Sequence, residues 1–190
     1  MVDKGRSGGD TLAPEAGGPA SLSSTSKERR MSEAAAKALS LFQTVVGKPD
    51  APSEWLEVDQ DRINLFADAT LDHQFIHIDP VKSAELSPYK VTIAHGFLTL
   101  SLLPFLTAKI PSQVPEAYTG TVMGVNYGLD KVRFPNPVKV NAKVRAHREL
   151  MEVTQVAPNT LQLKNKITIE IEGESKPGCV AEFLTRVIYA

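Results

Sequence analysis

The chain has a single cysteine and no excess of charge of either sign. Cys179 has no second cysteine with which to form an internal disulfide, so we expect a cytoplasmic protein in which Cys179 is a small buried residue of a strand. Lys and Arg number 21 against 22 Asp and Glu, a formal net charge of −1. This balance gives no general attraction to nucleic acid or to an anionic membrane, and we expect neither as a partner.

Long hydrophobic runs are also scarce, and the longest is IAHGFLTLSLLPFLTAKI, residues 93–110. Its helical part is shorter than the roughly 20 apolar residues that cross a bilayer. It is also interrupted by five polar or helix-breaking residues: His95, Thr99, Ser101, Pro104 and Thr107. We therefore predict a short helix that begins at Gly96 or Phe97, is apolar on all sides and is wrapped by other structure.

Residues 1–31 have almost no large apolar side chain and are rich in Gly, Ser, Pro and Ala. Such a segment cannot bury enough surface to offset the entropy lost on ordering. It lacks the apolar core of a signal peptide, and its acidic residues fit a transit peptide poorly. We expect residues 1–31 to be a disordered N-terminal extension and residues 32–190 to form one domain. Deleting residues 1–30 should then leave folding and activity unchanged.

Two helices are predicted before the hydrophobic run. The first spans about residues 32–46, with Ser32 as its N-cap and Gly47 as its stop. The second spans about residues 60–69 and is capped by Asp59. The helical pattern is then lost over residues 70–78. Asp79-Pro80 starts a further short helix, because a cap residue followed by proline is typical of a first turn.

From residue 119 onward the pattern is that of strands. Four segments alternate apolar and polar residues, and Pro135-Asn136-Pro137 and Pro158-Asn159 are turn signals between them. A short strand is also expected at about residues 55–58. Together these elements predict an α+β fold, in which a long curved antiparallel sheet wraps around one buried helix.

Candidate functional residues concentrate in FADATLDHQFIHIDPVKSAELSPYKVTIAHG, residues 66–96. The stretch holds three of the four histidines and three aspartates: His73, His77, His95, Asp68, Asp72 and Asp79. Asp72 and His77 lie five positions apart, which a regular helix would place on different faces. If the two side chains converge, the backbone between them must be a loop.

Three motifs, FADATLDHQFIHIDPVKSA, TIAHGFLTLSLLP and NYGLDKVRF, occur in this order. They resemble those of the MaoC-like hydratases of the hotdog fold, particularly the NodN-like branch, over nearly all of residues 50–190. The resemblance implies that Asp72 and His77 are the catalytic pair acting on trans-2-enoyl-CoA, with the N–H of Gly96 holding the thioester oxygen. It also implies an (R)-3-hydroxyacyl-CoA product, no cofactor beyond the coenzyme A of the substrate, and a homodimer with its sheets joined edge to edge.

One departure from the family pattern concerns the residue before Asp72. The family's Gly-Asp-x-Asn-Pro reads Leu71-Asp72-His73-Gln74-Phe75 here. A leucine is strained there if the position requires a positive φ, and otherwise it narrows the pocket. By the same resemblance we expect four residues to line the substrate pocket: Leu71, Phe75, His95 and Phe97.

The residue types at this site suit addition of water to an enoyl thioester. That reaction needs a base that takes a proton from water and an acid that gives a proton to the α-carbon. An imidazole and a carboxylate, with ordinary pKa values of about 6.5 and 3.9, can fill these two roles. One water held by Asp72 and His77 could supply hydroxide and proton to the same face of the double bond. The sequence leaves open which of the two is the base.

Other interpretations of the histidines stay open. His73 and His77 are four apart with Asp79 nearby, but no Cys or Glu completes a ligand set, so we expect no metal. For His95 we expect a hydrogen bond to backbone at the helix entry. His147 lies among Lys143, Arg145 and Arg148, a pattern typical of a solvated face, although these cations could instead contact the phosphates of coenzyme A.

Two further function classes compete with a hydratase. A hotdog thioesterase would need a carboxylate or polar group on the central helix, where the sequence offers only Thr99 and Ser101. A non-catalytic protein that binds acyl thioesters would have no need of both Asp72 and His77.

Overall fold

The computed structural model describes residues 31–190, so the predicted extension lies outside the described residues apart from Met31. Helix α1 spans Glu33–Gln43 and begins as expected, because the Ser32 side chain accepts a hydrogen bond from the Ala35 N–H. It ends before the predicted stop. A turn then leads to Gly47, which adopts a φ of +75° that favours glycine.

Helix α2 spans Gln60–Thr70 and is capped by Asp59 as predicted. A single turn, α3 (Phe75–Ile78), and a short helix, α4 (Pro80–Leu86), follow. Asp79 caps α4 by accepting from the Lys82 N–H, which confirms the predicted restart. The prediction that residues 70–78 are non-helical is wrong for α3, because one turn is too short to show a helical period.

The hydrophobic run folds into two short helices, α5 (Gly96–Ser101) and α6 (Leu103–Ala108). Pro104 explains the break, because proline has no N–H to donate and its ring crowds the carbonyl four residues earlier. Leu98, Leu103 and Leu106 are buried against the sheet, whereas the Phe97 side chain is 69% exposed. The prediction of one helix covered on every side is therefore wrong for the single chain.

Five antiparallel strands form one sheet in the order β1-β3-β4-β5-β2. Their bounds are β1 Leu56–Val58, β2 Thr121–Arg133, β3 Ala142–Ala157, β4 Thr160–Ile171 and β5 Cys179–Tyr189. Register shifts interrupt the pairing of β2 with β5 and of β3 with β4, and such bulges bend strands and increase their twist. The predicted four strands and the short β1 are confirmed.

Helices cover one face of this sheet in two places. Helices α5 and α6 pack on a cluster that includes Ile167, Phe183 and Cys179, the last buried in β5 as expected. Helix α1 and a 3-10 helix, Pro115–Tyr118, pack on a second cluster with Leu163 and Val187. In the described part of the chain, no helix combines the length and the apolar character needed to cross a membrane.

Candidate active site

Asp72 follows the end of α2, where the chain turns through Leu71. Leu71 has φ 63° and ψ 19°, the left-handed conformation that most helices give to glycine at this place. For a leucine this conformation costs roughly 1–2 kcal/mol. The backbone of Leu71 is therefore strained. Its side chain is 81% exposed, so in the single chain it does not narrow a pocket. The adjacent Asp72 is exposed as well.

His77 lies on the single turn α3, and its side chain is 6% exposed. Its Nδ1 is 2.7 Å from the carbonyl oxygen of Ile93. A carbonyl only accepts, so Nδ1 carries the proton and Nε2 presents a lone pair when the ring is neutral. The Gln60 side chain donates to the His77 carbonyl at 2.7 Å, and the Ile93 N–H donates to the Ile76 carbonyl. Both bonds fix the turn.

Burial sets the protonation of His77. Loss of solvation lowers its pKa below the usual 6.5, and the Coulombic effect of the His95 ring acts in the same direction. The hydrogen bond to Ile93 and the Asp72 carboxylate raise the pKa without reversing the shift. His77 is therefore neutral at pH 7, with Nε2 as an available base.

His95 stacks on His77. The two ring centroids are 3.7 Å apart at an interplanar angle of 26°. The expected hydrogen bond to backbone is present, because Nε2–H of His95 donates to the Asp72 carbonyl at 2.9 Å. His95 is 3% exposed, and within residues 31–190 its Nδ1 has no hydrogen-bond partner. The stacking was not foreseen, because it joins residues from α3 and α5.

Asp72, His77 and His95 converge on one point. A carboxylate oxygen of Asp72 and one ring nitrogen of each histidine all lie within 4.8 Å of one another. A water molecule could contact both Asp72 and His77 across such a gap. The loop required between these two residues is present over residues 72–74, before α3 begins.

Among the described residues, His73 and His77 do not come together as metal ligands. His73 lies on the surface, with its Nε2 bonded to Asp68 at 2.9 Å. The ligand atoms that converge are those of Asp72, His77 and His95.

Gly96 opens α5, and the N-cap residue His95 offers no side-chain cap to its first turn. A side chain at Gly96 is excluded, because a Cβ built there would lie 2.9 Å from the Phe134 ring. Phe134 in turn packs edge-on against Phe97 at 6.0 Å between ring centroids. Any side chain at position 96 would therefore disturb the packing of Phe134 and could shift the backbone N–H as well. Phe134 ends the third motif, NYGLDKVRF, but its contact with Gly96 was not predicted because the two residues lie in separate motifs.

The other two predicted pocket residues lie on either side of the site. Phe75 is half-buried on α3, where its carbonyl accepts from the Ser83 hydroxyl at 3.1 Å. Phe97 points away from the core. A second residue that the sequence analysis missed is Phe66, whose ring lies 5.1 Å from that of His95.

The cations around His147 do not form one face. Strand alternation separates them. Arg145 and His147 both bond the Glu170 carboxylate. Arg148 turns to the other side, where its Nε lies 2.6 Å from Asp50. The prediction of a solvated face is wrong for Arg148, whose side chain is only 18% exposed.

A groove lies apart from the site, where the two hydrophobic clusters meet. It has a volume of about 520 Å³ and lies next to Pro104 and Thr107 of α6. Its walls are largely apolar, with Ile110, Leu163 and Phe183 among them. Asp72, His77 and Gly96 do not line it.

Comparisons with known proteins agree with this architecture. Residues 41–171 match the MaoC-like domain family. The 3-hydroxyacyl-thioester dehydratase Z of Mycobacterium tuberculosis is 45% identical over 144 residues, which cover 75% of this chain and 90% of that protein. Nodulation protein N of Rhizobium leguminosarum bv. viciae is 46% identical over 140 residues, 74% of this chain and 84% of that protein.

Among solved structures, the (R)-hydratase of A. caviae involved in PHA biosynthesis superposes with a TM-score of 0.55 at 23% identity, covering 74% of this chain and 94% of that one. The monoamine oxidase regulatory protein of Archaeoglobus fulgius superposes with a TM-score of 0.61 at 20% identity, covering 76% and 91%. At these identities the structures establish the hotdog fold alone. The family match and the two relatives go further: the chain belongs to the MaoC-like dehydratase family, as its resemblance to the NodN-like branch implied.

Proposed function

We propose that this MaoC-like hydratase/dehydratase reversibly hydrates trans-2-enoyl-CoA to (R)-3-hydroxyacyl-CoA, with Asp72 and His77 as the catalytic pair. One observation carries the proposal. The buried imidazole of His77 has its Nδ1–H held by Ile93 and a lowered pKa, and a ring nitrogen of His77 lies within 4.8 Å of an Asp72 carboxylate oxygen. No cofactor is required beyond the coenzyme A of the substrate.

The tautomer of His77 supports His77 as the base. Nδ1–H is held by Ile93, so Nε2 takes a proton from the bound water while the Asp72 carboxylate accepts the other hydrogen and orients the oxygen. The oxygen forms a bond to the β-carbon, and the electrons of the double bond move towards the thioester carbonyl. The imidazolium then returns a proton to the α-carbon on the same face. In dehydration, Nε2 removes the α-proton and delivers it to the leaving hydroxyl.

Negative charge develops on the thioester oxygen as the enolate forms. The N–H of Gly96 is suited to receive it, because it belongs to the uncapped first turn of α5 and lies next to His95 in the chain. This role gives the glycine a chemical reason in addition to its contact with Phe134.

The acyl chain can follow the exposed side of α5 and α6. Gly96 begins α5, and Pro104 lies in the first turn of α6, eight residues later in the chain. A chain whose thioester lies at Gly96 and which runs along this side reaches the groove at Pro104 and Thr107. We propose the groove as the site of the distal part of the chain.

We propose a homodimer joined through β2. This 13-residue strand is an edge of the sheet, and it exposes apolar side chains that include Val122 and Tyr127. Exposed long edges are normally covered. Pairing two copies would also cover Phe97. Light scattering at micromolar concentration should give the dimer mass, and a monomer mass would contradict the proposal.

The thioesterase alternative is less favoured by α5. The Thr99 hydroxyl bonds the His95 carbonyl and the Ser101 hydroxyl bonds the Phe97 carbonyl, so both side chains serve the local backbone. Neither α5 nor α6 carries an acidic residue.

The test is addition of crotonyl-CoA to the purified protein. Loss of the enoyl absorbance without release of free thiol supports the hydratase, and an (S)-specific 3-hydroxyacyl-CoA dehydrogenase should fail to oxidise the product. Thiol release would favour the thioesterase, and no change in either signal would favour a binding protein. A chelator should leave the rate unchanged, and a loss that zinc restores would overturn the metal-free mechanism.

A further inference from the structure

The groove contains a guanidinium group, that of Arg148. Arg148 lines both the main groove and a small adjoining cleft that also contains Asp50, Gln113 and Tyr118. Among the described residues that line the main groove, none is Asp or Glu. The other arginine at the groove, Arg186, stacks its guanidinium over the Tyr127 ring, so Arg148 is the cation that remains to be explained.

Asp50 holds Arg148 by one nitrogen only. The Nε–H of Arg148 donates to Oδ2 of Asp50 at 2.6 Å. The other carboxylate oxygen, Oδ1, accepts from the Gln113 side chain at 2.8 Å. Asp50 is 9% exposed, so a buried carboxylate holds the guanidinium at its Nε. Within residues 31–190 the two terminal nitrogens of Arg148 bond no acceptor.

Arginine carries five N–H groups, and four of them are on these terminal nitrogens. A hydrocarbon chain that reached them would displace their water and offer no hydrogen bond in return, which disfavours binding. An oxygen atom at the same place would restore the bond. Because Asp50 already balances the charge of Arg148, the oxygen can be a neutral one.

We propose that Arg148 makes this enzyme selective for acyl chains that carry an oxygen function, such as a keto group, near their far end. The inference rests on the proposed function, since it takes the groove as the site of the distal acyl chain. Arg148 then marks the place at which an apolar chain becomes unfavourable and an oxygenated one is held. It is a specificity residue and takes no part in moving protons.

The experiment compares two substrates of equal length. They are trans-2-dodecenoyl-CoA and its analogue with a keto group on the penultimate carbon. In the wild-type protein we expect kcat/KM to be about tenfold or more higher for the keto substrate, the effect of one hydrogen bond to a charged donor. Crotonyl-CoA is too short to reach Arg148, so its turnover reports on the proposed function independently.

The variant pair is designed around the buried ion pair. Arg148→Met alone would leave Asp50 buried without its cation and could unfold the protein. The double variant Asp50→Asn/Arg148→Met avoids this, and the keto preference should fall to about one. Arg148→Lys, which keeps the charge, should retain part of the preference. Arg145→Met, on the opposite face of β3, is the matched control and should keep all of it.

Each result has one meaning. Equal kcat/KM for the two long substrates in wild type, or a preference that survives in Asp50→Asn/Arg148→Met, would overturn the inference. Failure to hydrate crotonyl-CoA would overturn the proposed function instead. In that case, calorimetric titration of dodecanoyl-CoA and its keto analogue still decides the role of Arg148: tighter binding of the keto form by wild type alone supports it, and equal binding overturns it.

Discussion

Among the described residues, a histidine lies beside a carboxylate at three places: His73 with Asp68, His147 with Glu170 and His77 with Asp72. We compare His77–Asp72, the first pair, with His147–Glu170, the second pair. In the second pair the two side chains bond each other directly, and Arg145 also bonds Glu170. In the first pair the groups converge within 4.8 Å but leave a gap, and the His77 ring is fixed through its other nitrogen. One pair consists of partners already joined, whereas the other leaves a lone pair for a reactant.

The environments of the two pairs also differ, because one is reached by water and the other contains a buried histidine. His147 and Glu170 stand on a sheet face where water reaches them, and the hydrogen bond from Arg145 is the largest cause that lowers the Glu170 pKa. His77 is enclosed, and burial is the largest cause that lowers its pKa. Residue type and proximity are therefore insufficient to identify a catalytic pair. What distinguishes His77 is a buried base with an unoccupied nitrogen that faces a carboxylate.

The strongest test of this comparison is to remove each pair in turn. Asp72→Asn and His77→Gln should each lower kcat for crotonyl-CoA by at least about a hundredfold, the usual contribution of a positioned acid or base. Because both groups act on one water, the double variant should lose little more. His147→Gln and His73→Gln are the matched controls and should change kcat by less than about twofold. Near-normal hydration by Asp72→Asn would contradict the mechanism.

The next test measures the pH dependence of kcat/KM, which reports whether burial or ion pairing governs the protonation of His77. With His77 as the base, kcat/KM should be level above pH 7 and fall tenfold per unit below a midpoint that lies under about 6.5. His95→Gln can still donate to the Asp72 carbonyl but removes the stacked ring. It should raise that midpoint, because the Coulombic effect of the His95 ring, which lowers the pKa of His77, is gone.

His73→Gln provides the control for this pH profile, since His73 contacts Asp68 on the surface and should leave the midpoint unchanged. A midpoint that stays fixed or moves down in His95→Gln would show that the stack does not govern the pKa of His77.

The lowered pKa of His77 also makes the free energy of unfolding depend on pH. His77 holds fewer protons when folded than when unfolded, so its contribution is complete above pH 6.5 and is lost as the pH falls through its lowered pKa.

A smaller effect is expected at Leu71, which strains the backbone next to Asp72. Leu71→Gly should stabilise the protein by about 0.5–1 kcal/mol, because relief of the left-handed strain exceeds the entropy that glycine adds to the unfolded chain. Urea denaturation measures the difference. Leu65→Gly, also exposed but within α2, is the control and should destabilise by about 1 kcal/mol. Destabilisation by Leu71→Gly would show that its side chain contributes packing in the assembled protein.

Much of the fold could be predicted from local signals. Ser32, Asp59 and Asp79 mark helix starts, and period-two alternation marks the long strands. The break in the central helix was signalled by Pro104, whose effect was underestimated because the run as a whole is so apolar. Arg148 was misplaced because its neighbours were considered as a charge cluster and not by strand parity.

The site was only partly accessible to the same reasoning. Asp72, His77 and Gly96 were predicted as site residues because they lie in recognisable local motifs, and the structure brings Asp72 and His77 together. The stack of His95 on His77, the contact of Phe134 with Gly96 and the bond from Gln60 to the His77 carbonyl could not. Each joins segments whose relative positions depend on the packing of the entire domain, which a single sequence does not encode in any local pattern.

The smallest expected effect concerns Glu170. Glu170→Gln removes one partly exposed carboxylate from Arg145 and His147, and Arg145 still stacks over the Trp55 ring at 4.4 Å. Exposed ion pairs contribute roughly 0.2–1 kcal/mol, so the loss of stability at pH 7 should lie within that range and shrink in high salt.

Because the folded pKa of Glu170 is lowered, its contribution is present above the unfolded value of about 4.3 and disappears as the pH falls below it. Urea denaturation of both proteins at neutral pH, at low and high salt, measures this difference, and crotonyl-CoA turnover should stay within about twofold of wild type. A loss of hydration comparable to that of His77→Gln would mean that a directly bonded histidine–carboxylate pair can also act in catalysis, and the distinction drawn between the two pairs would fail.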